Sequence, residues 1–105
     1  MSVFEDRRFV AALIRQVLIS RLCVREAILN FPKDTEDKSI QAAFHALVHY
    51  EADEDLRARD ELYREEQDDY LEFISNLLER GEDVPENITA YEKALSYVHP
   101  NVLSQ

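Results

Sequence analysis

Glycine and proline are scarce in this sequence, with one glycine and three prolines among 105 residues. Because these residues mark most turns, their scarcity predicts long elements joined by few connections. The alternating runs of β-branched and aromatic residues that would predict strands are nearly absent. Hydrophobic residues nevertheless make up 46% of the chain, which is too many for a disordered acidic tail. The sequence therefore predicts an all-α protein in which residues 1–105 form a single domain.

Cysteine is represented once, by Cys23, so no disulfide can form within the chain. A reducing compartment is the simpler expectation for such a protein. The charged amino-terminal residues do not resemble a secretory signal. No stretch reaches the ~18 consecutive apolar residues of a membrane span, because Arg15, Arg21 and Arg25 interrupt the best candidate. We therefore expect a soluble, cytoplasmic protein that does not bind membranes.

Basic residues are few: 12 Lys and Arg stand against 22 Asp and Glu, for a net charge of −10. They are concentrated in residues 1–30, which hold five basic and three acidic side chains. Phosphate contacts need clustered Lys and Arg, so we expect no nucleic-acid partner. A protein partner with a basic surface is compatible with the acidic remainder of the chain.

The hydrophobic periodicity predicts an elongated three-helix protein built on a long antiparallel hairpin, with helices at about 3–30 and 37–80. Gly81 would close the second helix in a left-handed conformation. A shorter third helix would follow at about 84–98. The second helix would be roughly 65 Å long at 1.5 Å per residue, with its two halves packed against different partners.

The predicted hairpin also indicates which charged side chains should meet. Antiparallel packing would bring Arg7 and Arg8 near Glu61, and Arg15 near Glu54. Such contacts would balance part of the acidic charge within the fold, although exposed pairs of this kind contribute little stability.

Apolar residues of the first helix cover an arc of roughly 200°, about twice the width that a one-sided surface helix needs. A helix of this kind is normally covered on two sides. The hairpin partner would cover one side, and either another helix or a second subunit would cover the other. We therefore predict a homo-oligomer, specifically a dimer. The predicted interface residues are Leu13, Val17, Leu18, Leu22 and Arg25.

Histidines at positions 45 and 49 and an aspartate at 53 recur every four residues and would share one helix face. Imidazole and carboxylate ligands suit Zn, Fe or Mn, so His45, His49 and Asp53 are the candidate metal ligands. The alternative is that both histidines are packing residues at a helix seam. No Glu-x-x-His pair completes a di-iron bundle. We favour no metal and no cofactor.

The segment from Glu51 to Asp69 contains ten acidic residues and three arginines. It is either a binding face for a metal or a partner, or a solvated helix side. In the second case, i, i+4 pairs such as Asp55–Arg59 and Asp60–Arg64 would lace that side. We favour the solvated helix side.

Catalytic motifs are not evident: the sequence has no serine–histidine–acid set, no glycine-rich phosphate loop and no Cys-x-x-Cys pair. The leading hypothesis is therefore a protein–protein interaction module, acting as a homodimer or as an adaptor or regulatory partner-binding module. The alternative is a metal-dependent helical-bundle enzyme that uses His45, His49 and Asp53 with the carboxylates of Glu51 and Glu54.

Overall fold

The computed structural model describes residues 2–85, and these residues contain five helices. They are α1 (Val3–Leu18), α2 (Val24–Leu29), α3 (Lys38–Ala52), α4 (Glu54–Arg59) and α5 (Glu61–Glu79). These residues contain no strand, so the predicted all-α class is confirmed for them. None of their helices is long and apolar enough to cross a lipid bilayer. The helix predicted at about 84–98 lies almost entirely outside the described residues.

The predicted helix at 3–30 is divided into two helices by a left-handed residue. Ser20 has a φ of 61°, and its N–H donates to the carbonyl of Val17 at 3.0 Å. The next N–H, from Arg21, donates to the carbonyl of Gln16 at 2.9 Å. These two bonds form a Schellman closure, which satisfies carbonyls at the end of α1. The chain therefore turns after Leu18 and enters α2 at a new angle.

The predicted helix at 37–80 is divided into three helices, and the decisive turn is at Asp60. This residue is extended, with φ −131° and ψ 103°, and its carboxylate caps α5 by accepting a hydrogen bond from the N–H of Tyr63 at 3.1 Å. Further along α5, Asp68 accepts a bond from the hydroxyl of Tyr50 in α3. Helix α5 thus runs back along α3, and the longest dimension of the fold is 45 Å. The predicted spine of roughly 65 Å would have required an unbroken helix.

The core lies where α1 is covered by α3 and α5 together, and α1 packs most extensively against α5. The largest fully buried hydrophobic side chains are Val10, Ile14, Ile40, Leu47, Leu71, Ile74 and Leu78. Helices α3 and α5 therefore cover much of the apolar arc of α1, while Phe9 of that helix is 44% exposed. Ile74, from the second half of the predicted second helix, also belongs to this core.

One buried guanidinium group ties the ends of three helices together. Arg7 donates from Nε and Nη2 to both carboxylate oxygens of Asp37, at 3.0 and 2.8 Å. It also donates to the carbonyl of Gly81 at 2.9 Å and to the carboxylate of Asp83 at 2.9 Å. Asp37 in turn caps α3 by accepting a bond from the N–H of Ile40. The starts of α1 and α3 are thereby fixed beside the end of α5.

The predicted pairing of Arg7 with Glu61 is therefore replaced by these contacts. Arg15 likewise pairs with Glu79 at 3.0 Å rather than with Glu54. Both differences follow from the turn at Asp60, which places the second half of α5 against α1.

Gly81 ends α5 in the left-handed conformation that the sequence predicts, with a φ of 74°. The N–H groups of Gly81 and Glu82 donate to the carbonyls of Leu78 and Leu77, which again forms a Schellman closure. A Cβ atom at position 81 would lie 3.0 Å from Cδ1 of Phe4. Glycine is therefore favoured here both by its backbone conformation and by the close approach of an aromatic ring.

We predict that Gly81→Ala lowers the free energy of unfolding by about 1–3 kcal/mol, through the positive φ and the contact with Phe4. In the Phe4→Ala background the steric part disappears, so the same substitution should cost less. Urea denaturation of the parent protein, the two single variants and the double variant measures the backbone and steric contributions separately. An equal cost in the two backgrounds would show that the ring contact is unimportant.

Asp37 provides a second test, because its hydrogen bonds from Arg7 hold the pKa of its carboxyl below the ordinary value of 3.8. A lowered pKa contributes stability above the unfolded value, and this is lost as the pH falls through the folded value. Asp37→Asn should cost roughly 2–4 kcal/mol at neutral pH and should weaken the acid dependence of unfolding. The matched control is Glu79→Gln, in an exposed pair, which should cost less than about 1 kcal/mol. Similar costs for the two variants would contradict the assigned role of Arg7.

Candidate functional site

An open cleft of about 500 Å³ lies between the α1–α2 connection and the end of α3. Helices α1 and α3 begin together at Arg7 and Asp37, so their carboxyl-terminal ends meet at the other end of the fold. The turn at Ser20 then carries α2 away from α1 and leaves space beside α3. We call this space the α1–α2 cleft.

The apolar part of the cleft is formed by residues from three helices and a connection. Val17 comes from α1, Leu22 from the connection, Val24 from α2 and Tyr50 from α3. Val17 is buried, and the other three side chains are half-buried. Cys23, between Leu22 and Val24, is exposed and also lines the cleft. Apolar surface therefore remains partly accessible to a bound group.

Five charged side chains also line the cleft, and three of them are engaged within the chain. Arg25 donates from Nε to Oε1 of Glu51 at 3.0 Å. Arg57 lies over the ring of Tyr50, with Cζ 3.5 Å from the ring centroid, and donates to the carbonyl of that residue. The side chains of Arg21 and Glu54 form no hydrogen bond or ion pair with any residue in 2–85. The cleft thus presents one unpaired charge of each sign.

Tyr50 forms one wall of the cleft and joins α3 to α5. Its hydroxyl donates to Oδ1 of Asp68 at 2.7 Å. Burial, together with the neighbouring carboxylate of Asp68, raises the pKa of Tyr50 to about 12. The phenol is therefore a neutral hydrogen-bond donor throughout the physiological range.

Asp53, one of the predicted metal ligands, is held by side chains of α5. The hydroxyl of Tyr63 donates to its Oδ2 at 2.6 Å, and Nε2 of Gln67 donates to the same oxygen at 3.1 Å. The hydrogen bond to Asp53 and partial burial raise the pKa of Tyr63. Asp53 therefore acts as an acceptor that fastens the α3–α4 corner to α5.

His45 and His49 are exposed on α3 and are not brought together with Asp53 into a ligand set. Within residues 2–85, no three His, Cys, Asp or Glu side chains are placed to hold a metal ion. Glu51, which the alternative function would need, is paired with Arg25. The geometry of the described residues gives the metal-dependent alternative no site at these positions.

The predicted interface residues are divided between the core and the cleft. Leu13 and Val17 are only 6% and 7% exposed and belong to the core of the chain itself. Leu18 and Leu22 are half-buried against that core, and Arg25 is exposed. Val17, Leu22 and Arg25 line the cleft, whereas Leu13 and Leu18 do not. The interface prediction therefore coincides with the cleft at three positions out of five.

The acidic segment also has a divided role, since half of its ten acidic side chains have partners within residues 2–85. Those five are Glu51, Asp53, Asp60, Glu61 and Asp68. The predicted i, i+4 pairs did not form as expected. Arg59 donates to the backbone carbonyl of Asp55, and Arg64 pairs with Glu61 instead of Asp60. Asp53 and Asp68 therefore connect α3 and its corner to α5, whereas Glu51 connects α3 to α2.

Tyr50 and Arg57 are among the cleft residues that sequence reasoning missed, as is Val24. The spacing of seven residues between Tyr50 and Arg57 would place them on one face of a continuous helix, two turns apart. That spacing is a usable signal for a cation–π contact, although it does not reveal the cleft. The cleft depends on the turn at Ser20, for which the sequence gives no glycine signal.

Comparison of the chain with protein-family models, with curated proteins and with solved structures finds no match. Function is therefore inferred from the cleft and from the charges around it.

We predict that the stability of the protein falls as the pH rises from 10 to about 12, the interval over which Tyr50 ionises in the unfolded chain but not in the fold. Tyr50→Phe should reduce this loss and should remove one late-ionising phenol from an absorbance titration. Asp68→Asn, which keeps the ring but removes the neighbouring charge, should bring that ionisation to lower pH. An unchanged titration in Tyr50→Phe would contradict the assignment.

Proposed function

We propose that this chain is a protein–protein interaction module without catalytic activity, and that it acts as a homodimer whose interface is centred on the α1–α2 cleft. The observation that carries this proposal is the combination of accessible apolar side chains with a charged surround. Protein interfaces have this composition, an apolar centre within a polar rim. Leu22, Val24 and Tyr50 provide the centre, and Arg21 and Glu54 belong to the rim.

The charge distribution supports the same surface. A chain with a net charge of −10 repels a second copy over most of its surface. The cleft is lined by three arginines and two glutamates, so it does not carry the acidic excess of the chain as a whole. Two copies can therefore approach each other closely at the cleft, whereas the acidic residues of α4 and α5 would oppose such an approach.

The wide apolar arc of α1, from which the sequence predicts a dimer, is largely covered within the chain. Leu13 and Val17 are buried in the core formed with α3 and α5, so their burial requires no second subunit. The proposed dimer interface instead uses the half-buried residues Leu22 and Val24, which lie beyond the end of α1. A cytoplasmic location is part of the proposal, since an exposed, unpaired Cys23 is typical of a reducing compartment.

Cys23 provides a direct test, because the chain's single cysteine lines the cleft. We predict that the unmodified protein is a dimer at micromolar concentrations and that alkylation with a bulky maleimide converts it to a monomer. Light scattering after size exclusion measures the mass, and circular dichroism verifies that the helices remain.

The matched control moves the label out of the cleft. In Cys23→Ser/Leu29→Cys, the thiol lies at a position that is 74% exposed in the parent chain and does not line the cleft. This protein should remain dimeric after the same alkylation. A monomeric parent protein, or a dimer that survives alkylation at Cys23, would contradict the proposal.

A further inference from the structure

We infer that the second copy docks about a two-fold axis, with Arg21 of each copy paired with Glu54 of the other. This inference rests on the proposed homodimer and specifies how its two cleft surfaces meet. Both side chains are exposed, both line the cleft, and neither has a polar partner within residues 2–85. They also do not pair with each other in the monomer.

The pair Arg21 and Glu54 differs from the other charged residues of the cleft, which are engaged within the chain. Arg25 is neutralised by Glu51, and Arg57 is held against Tyr50 and by Oε1 of Gln67 at 3.0 Å. These contacts leave one cation and one anion available to a partner. The charges available to a partner are therefore Arg21 and Glu54, which are equal in number and opposite in sign.

A balanced pair of this kind selects a second copy over other partners. An acidic peptide would satisfy Arg21 but would be repelled by Glu54, and a basic peptide would meet the opposite problem. In an isologous dimer, each residue i contacts residue j of the other copy, and j contacts i. The same cleft on both copies thus satisfies both charges twice, and the apolar side chains Leu22 and Val24 of both copies become covered together.

The ion pairs would contribute more to orientation than to affinity. Exposed ion pairs contribute little to affinity, whereas like charges brought face to face oppose association. Reversing one charge replaces two attractive contacts by two repulsive ones, because the two-fold axis duplicates every change. The effect of a single substitution on dimerisation should therefore be larger than one surface ion pair suggests.

A charge-swap experiment tests the pairing. Arg21→Glu and Glu54→Arg should each weaken dimerisation by about tenfold or more, and the double variant should recover it. Arg8→Glu and Glu65→Arg are matched controls that change the net charge equally at exposed positions outside the cleft. Sedimentation equilibrium or light scattering over a dilution series gives the dissociation constants.

Mixing the two single variants gives a sharper readout. In a mixed dimer, Glu at 21 faces Arg at 54, and the unchanged Arg21 faces the unchanged Glu54, so both pairs are attractive. Native mass spectrometry should therefore show heterodimer in large excess over either homodimer. This result does not depend on the stability of each variant alone, because it compares species within one sample.

The outcomes separate this inference from the proposed function. If Cys23 alkylation dissociates the dimer but the charge variants behave like their controls, the cleft is the interface and the reciprocal pairing is wrong. If the parent protein is monomeric, both the homodimer and the pairing are wrong. A statistical mixture of dimers from the two single variants would also overturn the pairing.

Discussion

The guanidinium group of Arg7 is the point on which the arrangement of the helices depends. Its side chain is only 9% exposed, and it donates to Asp37, Asp83 and the carbonyl of Gly81. A cation removed from water to this degree requires charged or polar partners, since an uncompensated buried charge is strongly destabilising. These partners come from the start of α3 and from the segment after α5. Satisfying one side chain therefore brings together parts of the chain separated by more than 70 residues.

The position of the cleft, at the opposite end of the fold, follows from this anchoring of α1 and α3. With α1 and α3 anchored side by side at their starts, Val17 and Tyr50 arrive together at their far ends, where both line the cleft. The corner beyond Tyr50 is made rigid by its bonds to α5, through Asp53 to Tyr63 and through Tyr50 to Asp68. The cleft is consequently framed by a polar network that has no unsatisfied buried side-chain atom among the described residues. A frame held by such bonds is consistent with the proposed role of the cleft as an interface.

Sequence reasoning succeeded where the signal is local. Gly81 was expected to close a helix, and it does so because only glycine adopts a positive φ at low cost beside an aromatic ring. The start of α3 was also recovered, since Asp37 is an ordinary capping residue. The turns at Ser20 and Asp60 were missed. Serine and aspartate occur inside helices as well as at their ends, so their identity alone does not indicate which conformation the chain takes.

The sequence by itself determined that the chain is helical, where its apolar stripes lie, how α5 ends and how its charge is distributed. These properties depend on residue type and on spacing within a few turns. Tertiary structure alone decided that Ser20 is left-handed, that Asp60 is extended and that Ile74 belongs to the core. The turns at Ser20 and Asp60 exchange local helical bonds for burial between distant segments. The balance is set by long-range contacts such as the pair between Arg7 and Asp37. The cleft belongs to this second group, because it exists only where the turn at Ser20 carries α2 away from the adjacent ends of α1 and α3.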